Sequence, residues 1–314
     1  MEALDFVGVI LAAGTGSRLY PLTKYVPKPL LPICNKPIIQ YQIDQLREVG
    51  IDKIFIVVGS FQDHFKEIVD RNASANLVIK LVKQEQQLGI AHAVNTLKDW
   101  IDCPFLLLLG DTLIFPNPFP QMLKVFWKRR SAGVLAAQKE SNPDKIRRNF
   151  AIITDKEGHV SKVIEKPSVA PTQLKGCGVY LFDRAVFDAI RRTPRTAMRD
   201  EYEITDSIQL FIEDGHRVDV WTGVKWEINL TEPNDLLICN LEMLHHLRKP
   251  ALIAPETSLP RDVQVINSVI GARVTITNCK AIINSVILDD TIICDMGDII
   301  NKIVINMGTI KTEH

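Results

Sequence analysis

Small residues, cations and carboxylates fall in this chain at spacings that suit phosphate chemistry. The stretch Leu11-Ala-Ala-Gly-Thr-Gly-Ser-Arg-Leu-Tyr-Pro-Leu-Thr23 ends an apolar run in residues without bulk, and Val26-Pro-Lys-Pro-Leu-Leu-Pro32 follows it. Main-chain amides at the end of a buried strand can hold phosphate oxygens when no side chain obstructs them, and Gly14 and Gly16 provide that room. Leu11, Ala12, Ala13, Gly14, Thr15, Gly16 and Ser17 are therefore candidate contacts for the phosphates of a nucleotide. Arg18 and Lys28 would add positive charge where a phosphate is attacked and its leaving group departs. Glycines and basic residues at a strand-to-helix turn also serve structure alone, so it is the whole string that is specific. Further along, Leu109-Gly-Asp111 closes another apolar run. Ligands in open α/β sheets bind beyond the carboxyl ends of strands, so Asp111 stands where a metal ion could bridge a triphosphate.

The string LAAGTGSRLYPLT together with PKPLLP resembles the signature of the sugar nucleotidylyltransferase superfamily. That superfamily includes glucose-1-phosphate thymidylyltransferases and the uridylyltransferase domain of bacterial enzymes that make UDP-N-acetylglucosamine. The resemblance covers nearly the whole chain. It implies a Rossmann-like catalytic domain, one or two Mg2+ ions, and a displacement in which a sugar-1-phosphate attacks a nucleoside triphosphate and expels pyrophosphate. Gln84-Glu-Gln-Gln-Leu-Gly-Ile-Ala-His-Ala93 resembles the base-reading segment. The Gln84 amide carries both a donor and an acceptor, as reading the O4 and N3 edge of uracil or thymine requires, and Gly89 would let the base lie close to the backbone. UTP or dTTP is thus the expected nucleotide. Ile90 stands where Thr is common, and His92 is expected only to pack its helix.

Val163-Ile-Glu-Lys-Pro167 is similar to the sugar-side EKP motif. The likeness implies that Glu165 accepts sugar hydroxyl protons and Lys166 holds the sugar's phosphate, bringing the nucleophile into line. Gly178 resembles the glycine lining the sugar pocket, and Glu203-Ile-Thr-Asp206 a segment near it. One departure concerns Trp226-Glu-Ile-Asn229, where many relatives carry Asp as a second metal ligand beside the one expected at Asp111 and some uridylyltransferases carry Asn. An amide oxygen coordinates Mg2+ without adding charge, so Asn229 calls for compensation by the triphosphate or by Glu227. Asn149-Phe-Ala151 departs from a glycine often found at the sugar wall.

The expected acceptor is glucose-1-phosphate or N-acetylglucosamine-1-phosphate. A nucleotide-sugar-binding regulatory subunit with weak catalysis and a cytidylyltransferase acting on a non-sugar phosphate remain as alternatives. The first would bind a nucleotide sugar without turnover, and the second would prefer CTP.

These residues need a rigid frame. Phe6 to Ala12, Lys53 to Val58 and Phe105 to Leu109 are dense apolar runs, as in strands buried on both faces. Residues 37–49 and 90–100 repeat apolar positions three or four apart, which predicts helices between them. The alternation predicts an α/β fold with a doubly wound sheet, expected to be mixed, and the resemblance implies that it is Rossmann-like. Shorter strands at Ala151 to Thr154 and Val160 to Ile164, joined by a turn at 155–158, suggest a sheet extension over one side of a pocket, and a helix is expected from Pro233 to Leu247. After residue 250 the composition changes. Ile266-Asn-Ser-Val-Ile270, Ile283-Asn-Ser-Val-Ile287 and Ile303-Val-Ile-Asn306 form a hexapeptide-like ladder resembling a short left-handed parallel β-helix of roughly three coils. A few hairpins would also fit. The expected division is a catalytic domain over 1–250 and a coil over 251–314 that serves packing or assembly, including a homo-oligomer.

The chain has 314 residues, with Lys plus Arg and Asp plus Glu equal at 37 each. That balance supplies no basic field for nucleic acid. No stretch approaches the roughly 18 apolar residues of a membrane span, so no membrane partner is expected. Six cysteines without CxxC spacing point away from a disulfide framework or a zinc site and toward a reduced, cytoplasmic compartment.

Overall fold

The computed structural model describes residues 6–197, 200–294, 296–306 and 308–311. The three dense apolar runs become β1 (Val7–Ala12), β2 (Lys53–Val58) and β4 (Phe105–Leu109), and a strand that the sequence did not announce, β3 (Val78–Lys83), lies between the last two in chain order. They continue with β5 (Gly133–Lys139), β6 (Phe150–Thr154), β7 (Val160–Glu165), β8 (Leu174–Phe182) and β9 (Val218–Trp221). Together they form one nine-stranded sheet in the order β7-β6-β8-β4-β1-β2-β3, with β5 bridging β8 and β9. The pairs β1–β2, β1–β4, β2–β3 and β5–β9 are parallel, whereas β8 runs antiparallel to β4 and β5. The sheet is therefore mixed, as the sequence implies.

Beside the short helices Lys66–Asn72 and Pro143–Arg147 stand α1 (Ile38–Glu48), α2 (Ile90–Asn95), α3 (Phe119–Arg129), α4 (Val186–Arg192), α5 (Ile204–Glu213) and α6 (Pro233–His246). α2 stops five residues short of the expected end at 100. Thr96 Oγ1 donates to the Ala93 carbonyl at 2.7 Å, a local bond that competes with the helical ladder, and turns carry the chain on to Trp100. Leu97 and Ile101 still bury their side chains. The region between 130 and 225 also holds more than short strands. β8 spans nine residues, and α4 and α5 follow it.

Packing divides the chain into two compact units. The first is Tyr41–Glu227 with the strand leading to Gly14; the second is Thr15–Gln40 with the segment from Ile228 onward. The core of the first unit includes Val9, Phe55, Leu107, Leu135, Tyr180 and Phe182, all sealed from solvent. On β9, Asp219 is fully buried and accepts from Arg129 Nη1 at 2.5 Å, Ser131 Oγ at 2.5 Å and Arg217 Nε at 3.3 Å, with His159 Nδ1 at 2.8 Å. The carboxylate ties β9 to the end of α3 and to the turn before β7. Because both arginines reach water, Asp219→Ala is expected to cost about 2 kcal/mol rather than the full penalty of a broken buried pair. A lowered urea midpoint checks this, and an unchanged midpoint would contradict it.

In the second unit, Asn240 of α6 is fully buried and serves as a junction. Its Oδ1 accepts from the Cys34 amide at 2.7 Å, and its Nδ2 donates to Pro32 O at 3.2 Å and Leu236 O at 2.8 Å. Burial pushes the Cys34 thiol up to about 12, which keeps it protonated and inert. The C-terminal segment winds through three parallel ladders. One stacks Ala251–Ile253, Ser268–Ile270, Val286–Ile287 and Lys302–Ile305; a second stacks Gln264–Ile266, Ala281–Ile283 and Ile299–Ile300; a third pairs Thr275–Ile276 with Ile292–Ile293. The parallel coil excludes the hairpin alternative, apart from Gly308–Lys311, which returns antiparallel against Lys302–Ile305. Successive coils repeat every 17 residues, as in the Ser285 amide donating to Ser268 Oγ at 3.0 Å and in the Asn267–Asn284–Asn301 ladder at 2.9 and 3.1 Å. These three asparagines take positive φ of 43°, 47° and 51°, a corner conformation that Asn tolerates better than other side chains.

Candidate active site

Within the first unit, the carboxyl ends of β1, β2 and β4 meet the loop after β3. Leu11 pairs with Leu109, and Gly110 N donates to Leu11 O at 2.8 Å, so Asp111 lies just beyond the strand ends. Its turn is pinned by Gln42 on α1, whose Nε2 donates to Leu109 O at 2.8 Å and Thr112 O at 2.6 Å. Gln42 is completely buried among Ile38, Ile39, Ile43 and Leu46. A polar residue on an otherwise apolar helix stripe is the sequence signal that could have found it. Thr112 Oγ1 bonds Asp111 Oδ1 at 3.2 Å. Gly178 of β8 backs this turn closely, because a Cβ there would sit 2.8 Å from Leu109 Cδ1 and 2.9 Å from Thr112 Oγ1.

At the end of β1, Ala12 and Ala13 are buried and Gly14 is exposed. Gln87 Nε2 donates to Ala13 O at 2.5 Å, and a Cβ on Gly59 would meet that carbonyl at 2.8 Å. Gln84 N donates to Val58 O at 2.8 Å, which seats the loop against β2. The Gln84 side chain is nearly buried, with Nε2 3.0 Å from His92 Nδ1 and 3.4 Å from Gly89 O. The sequence predicts only a packed helix residue at His92; the structure shows it in addition holding the amide expected to read the base. Its ring stacks on Tyr202 at 6.2 Å between centroids.

On the sugar side, Glu165 ends β7, and Lys166 follows with φ of 41°. The Lys166 amide donates to Asn149 O at 2.8 Å, and its Nζ lies 3.9 Å from Glu165 Oε1. Tyr180 is fully buried, and burial first, then the charges of Glu165, Cys177, Asp111 and Glu203, push its hydroxyl well above the usual phenol range. Glu227, the possible compensating charge beside Asn229, is paired through Oε1 with the buried Lys175. Burial, followed by the Glu227 charge, pushes the adjacent Cys177 thiol upward.

The second unit holds the remaining candidates. Thr15 and Ser17 are exposed, Gly16 adopts φ of 63°, and Thr23 Oγ1 donates to Gly16 O at 2.8 Å. A Cβ on Gly16 would come within 2.9 Å of Thr23 Cγ2, so the loop excludes side chains there. Arg18 is exposed on the short helix Ser17–Leu19, Lys28 is half-buried at the start of Lys28–Leu30, and Asn229 ends the strand Trp226–Asn229. Among the described residues no group of three or more His, Cys, Asp or Glu side chains could hold a metal ion, and no helix is long and apolar enough to cross a membrane.

A family model described as nucleotidyl transferase matches residues 7–227. The chain is 32% identical over 266 residues to the low-salt glycan biosynthesis nucleotidyltransferase Agl11 of Haloferax volcanii, covering 83% of this chain and 73% of that protein. It is 34% identical over 230 residues to the UTP–glucose-1-phosphate uridylyltransferase AglF of the same organism, covering 72% and 92%. It also superposes on a crystal structure of UDP-glucose pyrophosphorylase complexed with UDP-glucose, with a TM-score of 0.68 and 25% identity over 77% of this chain and 99% of the other.

Proposed function

Because this chain belongs to the nucleotidyl transferase family, we propose that it joins a sugar-1-phosphate to UTP or dTTP, releasing a nucleotide sugar and pyrophosphate. Glucose-1-phosphate or N-acetylglucosamine-1-phosphate is the acceptor. The observation that carries this reading is Asp111 just beyond the end of β4, beside the end of β1, next to the strand ends and loop that position Ala13, Gln84 and Gly89. The names of AglF and of the UDP-glucose complex favour UTP and a glucose phosphate.

A sugar phosphate is already an anionic nucleophile at neutral pH, so no general base is required. The protein has instead to lessen repulsion between two anions and hold them in line. Lys166 meets the sugar's phosphate, Glu165 accepts from sugar hydroxyls, and Arg18 and Lys28 meet the triphosphate, whose oxygens approach the backbone of residues 11–17. Asp111 and Asn229 offer one anionic and one neutral oxygen, a donor set that suits Mg2+, which takes few protein ligands alongside phosphates and waters. The ion, when bound, neutralises triphosphate charge. The catalytic part is assigned to residues 1–250. The coil over 251–314 is taken as a left-handed β-helix used for packing or assembly into a homo-oligomer.

Pyrophosphate release from UTP, dTTP and CTP crossed with the two sugar phosphates tests the reading. Turnover with UTP or dTTP is expected, and no turnover with any pair would overturn it. Lys166→Ala should raise KM for the sugar phosphate by about tenfold or more, as expected for losing a charged hydrogen bond, with a smaller effect on the triphosphate KM. Equal changes in both constants would contradict that role.

A further inference from the structure

We infer that His92 is a positioning residue that fixes the direction of the Gln84 amide and thereby selects a nucleobase carrying an N–H at its pairing edge. The inference rests on the reading of Gln84 as the base contact. A primary amide is nearly symmetric in shape, and rotating it by half a turn exchanges a donor for an acceptor. Which face it shows a ligand is decided by its neighbours. Here two acceptors lie on one side, the Gly89 carbonyl at 3.4 Å from Nε2 and His92 Nδ1 at 3.0 Å. A carbonyl can only accept, and a neutral imidazole whose Nε2 carries the proton accepts at Nδ1. Both therefore call for the NH2 group, and both of its hydrogens are engaged.

Oε1 remains, and it takes no hydrogen bond among the described residues. The side chain thus presents an acceptor to the base, not the donor and acceptor together that the sequence implied. Uracil and thymine carry N3–H and satisfy such an acceptor. Cytosine has a bare N3, and facing it with Oε1 sets two lone pairs against each other.

His92 is itself held in place. Its ring stacks on Tyr202 at 23° between planes, and the Tyr202 backbone clasps the turn that carries it: Tyr202 N donates to Leu88 O at 2.8 Å, and Ala91 N donates to Tyr202 O at 3.0 Å. The Arg195 guanidinium lies 5.7 Å from the Tyr202 ring on which His92 packs. The imidazole therefore cannot swing away without breaking that stack.

The test compares kcat/KM for UTP and CTP in wild-type protein and in His92→Leu, His92→Gln and His92→Asn. His92→Leu removes the acceptor. His92→Gln keeps polarity but carries its amide one methylene beyond the Nδ1 position. His92→Asn places a carbonyl oxygen near that position. The UTP-over-CTP ratio is expected to fall by about tenfold in His92→Leu and His92→Gln, mainly through KM, and to return in His92→Asn. A ratio unchanged in both His92→Leu and His92→Gln would overturn the inference, and so would a His92→Asn protein that discriminates no better than they do. If His92→Leu does not fold, the His92→Gln and His92→Asn pair decides. A wild-type protein without turnover of UTP or dTTP would instead refute the proposed function, so the two failures are distinguishable.

Discussion

Replacing Asp111 by alanine is expected to lower the rate of pyrophosphate release by about 10²–10³-fold, the usual loss when a preorganised electrostatic contact to a reacting phosphate disappears. The expectation rests on where the carboxylate stands. It follows the carboxyl end of β4, beside the end of β1, and its turn is pinned by two hydrogen bonds from the buried Gln42 and backed by Gly178 with no room for a side chain. Such a turn spends its rigidity on aiming one group. Asp111→Asn separates charge from shape, since it keeps the oxygen but removes the anion, and should raise the Mg2+ concentration needed for half-maximal rate. Because Gln42 donates to the backbone on either side, the turn should survive both substitutions, and the unfolding midpoint should move little. Wild-type turnover by Asp111→Ala would show that the carboxylate takes no part.

Gly89→Ala is the second change with a large expected effect, and it acts through the backbone. Gly89 adopts φ of 104° and ψ of 175°, a region open essentially to glycine alone. A Cβ there would lie 2.6 Å from Tyr202 O and 2.7 Å from Tyr202 N. Neither atom is the movable end of a side chain, and both are engaged, with Ala91 N and Leu88 O respectively. The methyl must therefore break one or both bonds and force the dihedral. Strain of about 1–3 kcal/mol and a lost hydrogen bond of about 1 kcal/mol add to roughly 2–4 kcal/mol. The turn carries Gln84's acceptor and leads into His92, so the KM for the triphosphate should rise by more than about tenfold, with a smaller change in the KM for the sugar phosphate. Calorimetry and initial rates check the two parts. Native values of the melting temperature and the triphosphate KM together would refute the argument.

His92 shows where reading the sequence stopped short. In sequence it reads as a residue that only packs its helix, but a residue can act through another. Gln84 and His92 are eight apart, too far for a helical pairing rule, and only the turn closed by Tyr202 brings them to 3.0 Å. The same holds for Glu227, which reads as a spare carboxylate in sequence and proves to be partnered by Lys175, 52 residues away.

What the linear order settled by itself are the features that repeat or adjoin. Dense apolar runs marked β1, β2 and β4, the three- and four-residue period marked α1 and α6, and the spacing of Ile-Asn-Ser clusters marked the parallel coil, because burial on one face or two leaves a period in the chain. The glycine string, Asp111 and the Glu165-Lys166 pair were visible as contiguous words. Tertiary structure alone decided the pairings that aim them: Gln42 on the turn before Asp111 across 67 residues, and Asn240 on Cys34 across 206. A hydrogen bond between distant residues leaves no period behind. Its partners are chosen by how the folded strands bring buried polar groups within reach, since each must find a partner or bear the cost of lost hydration.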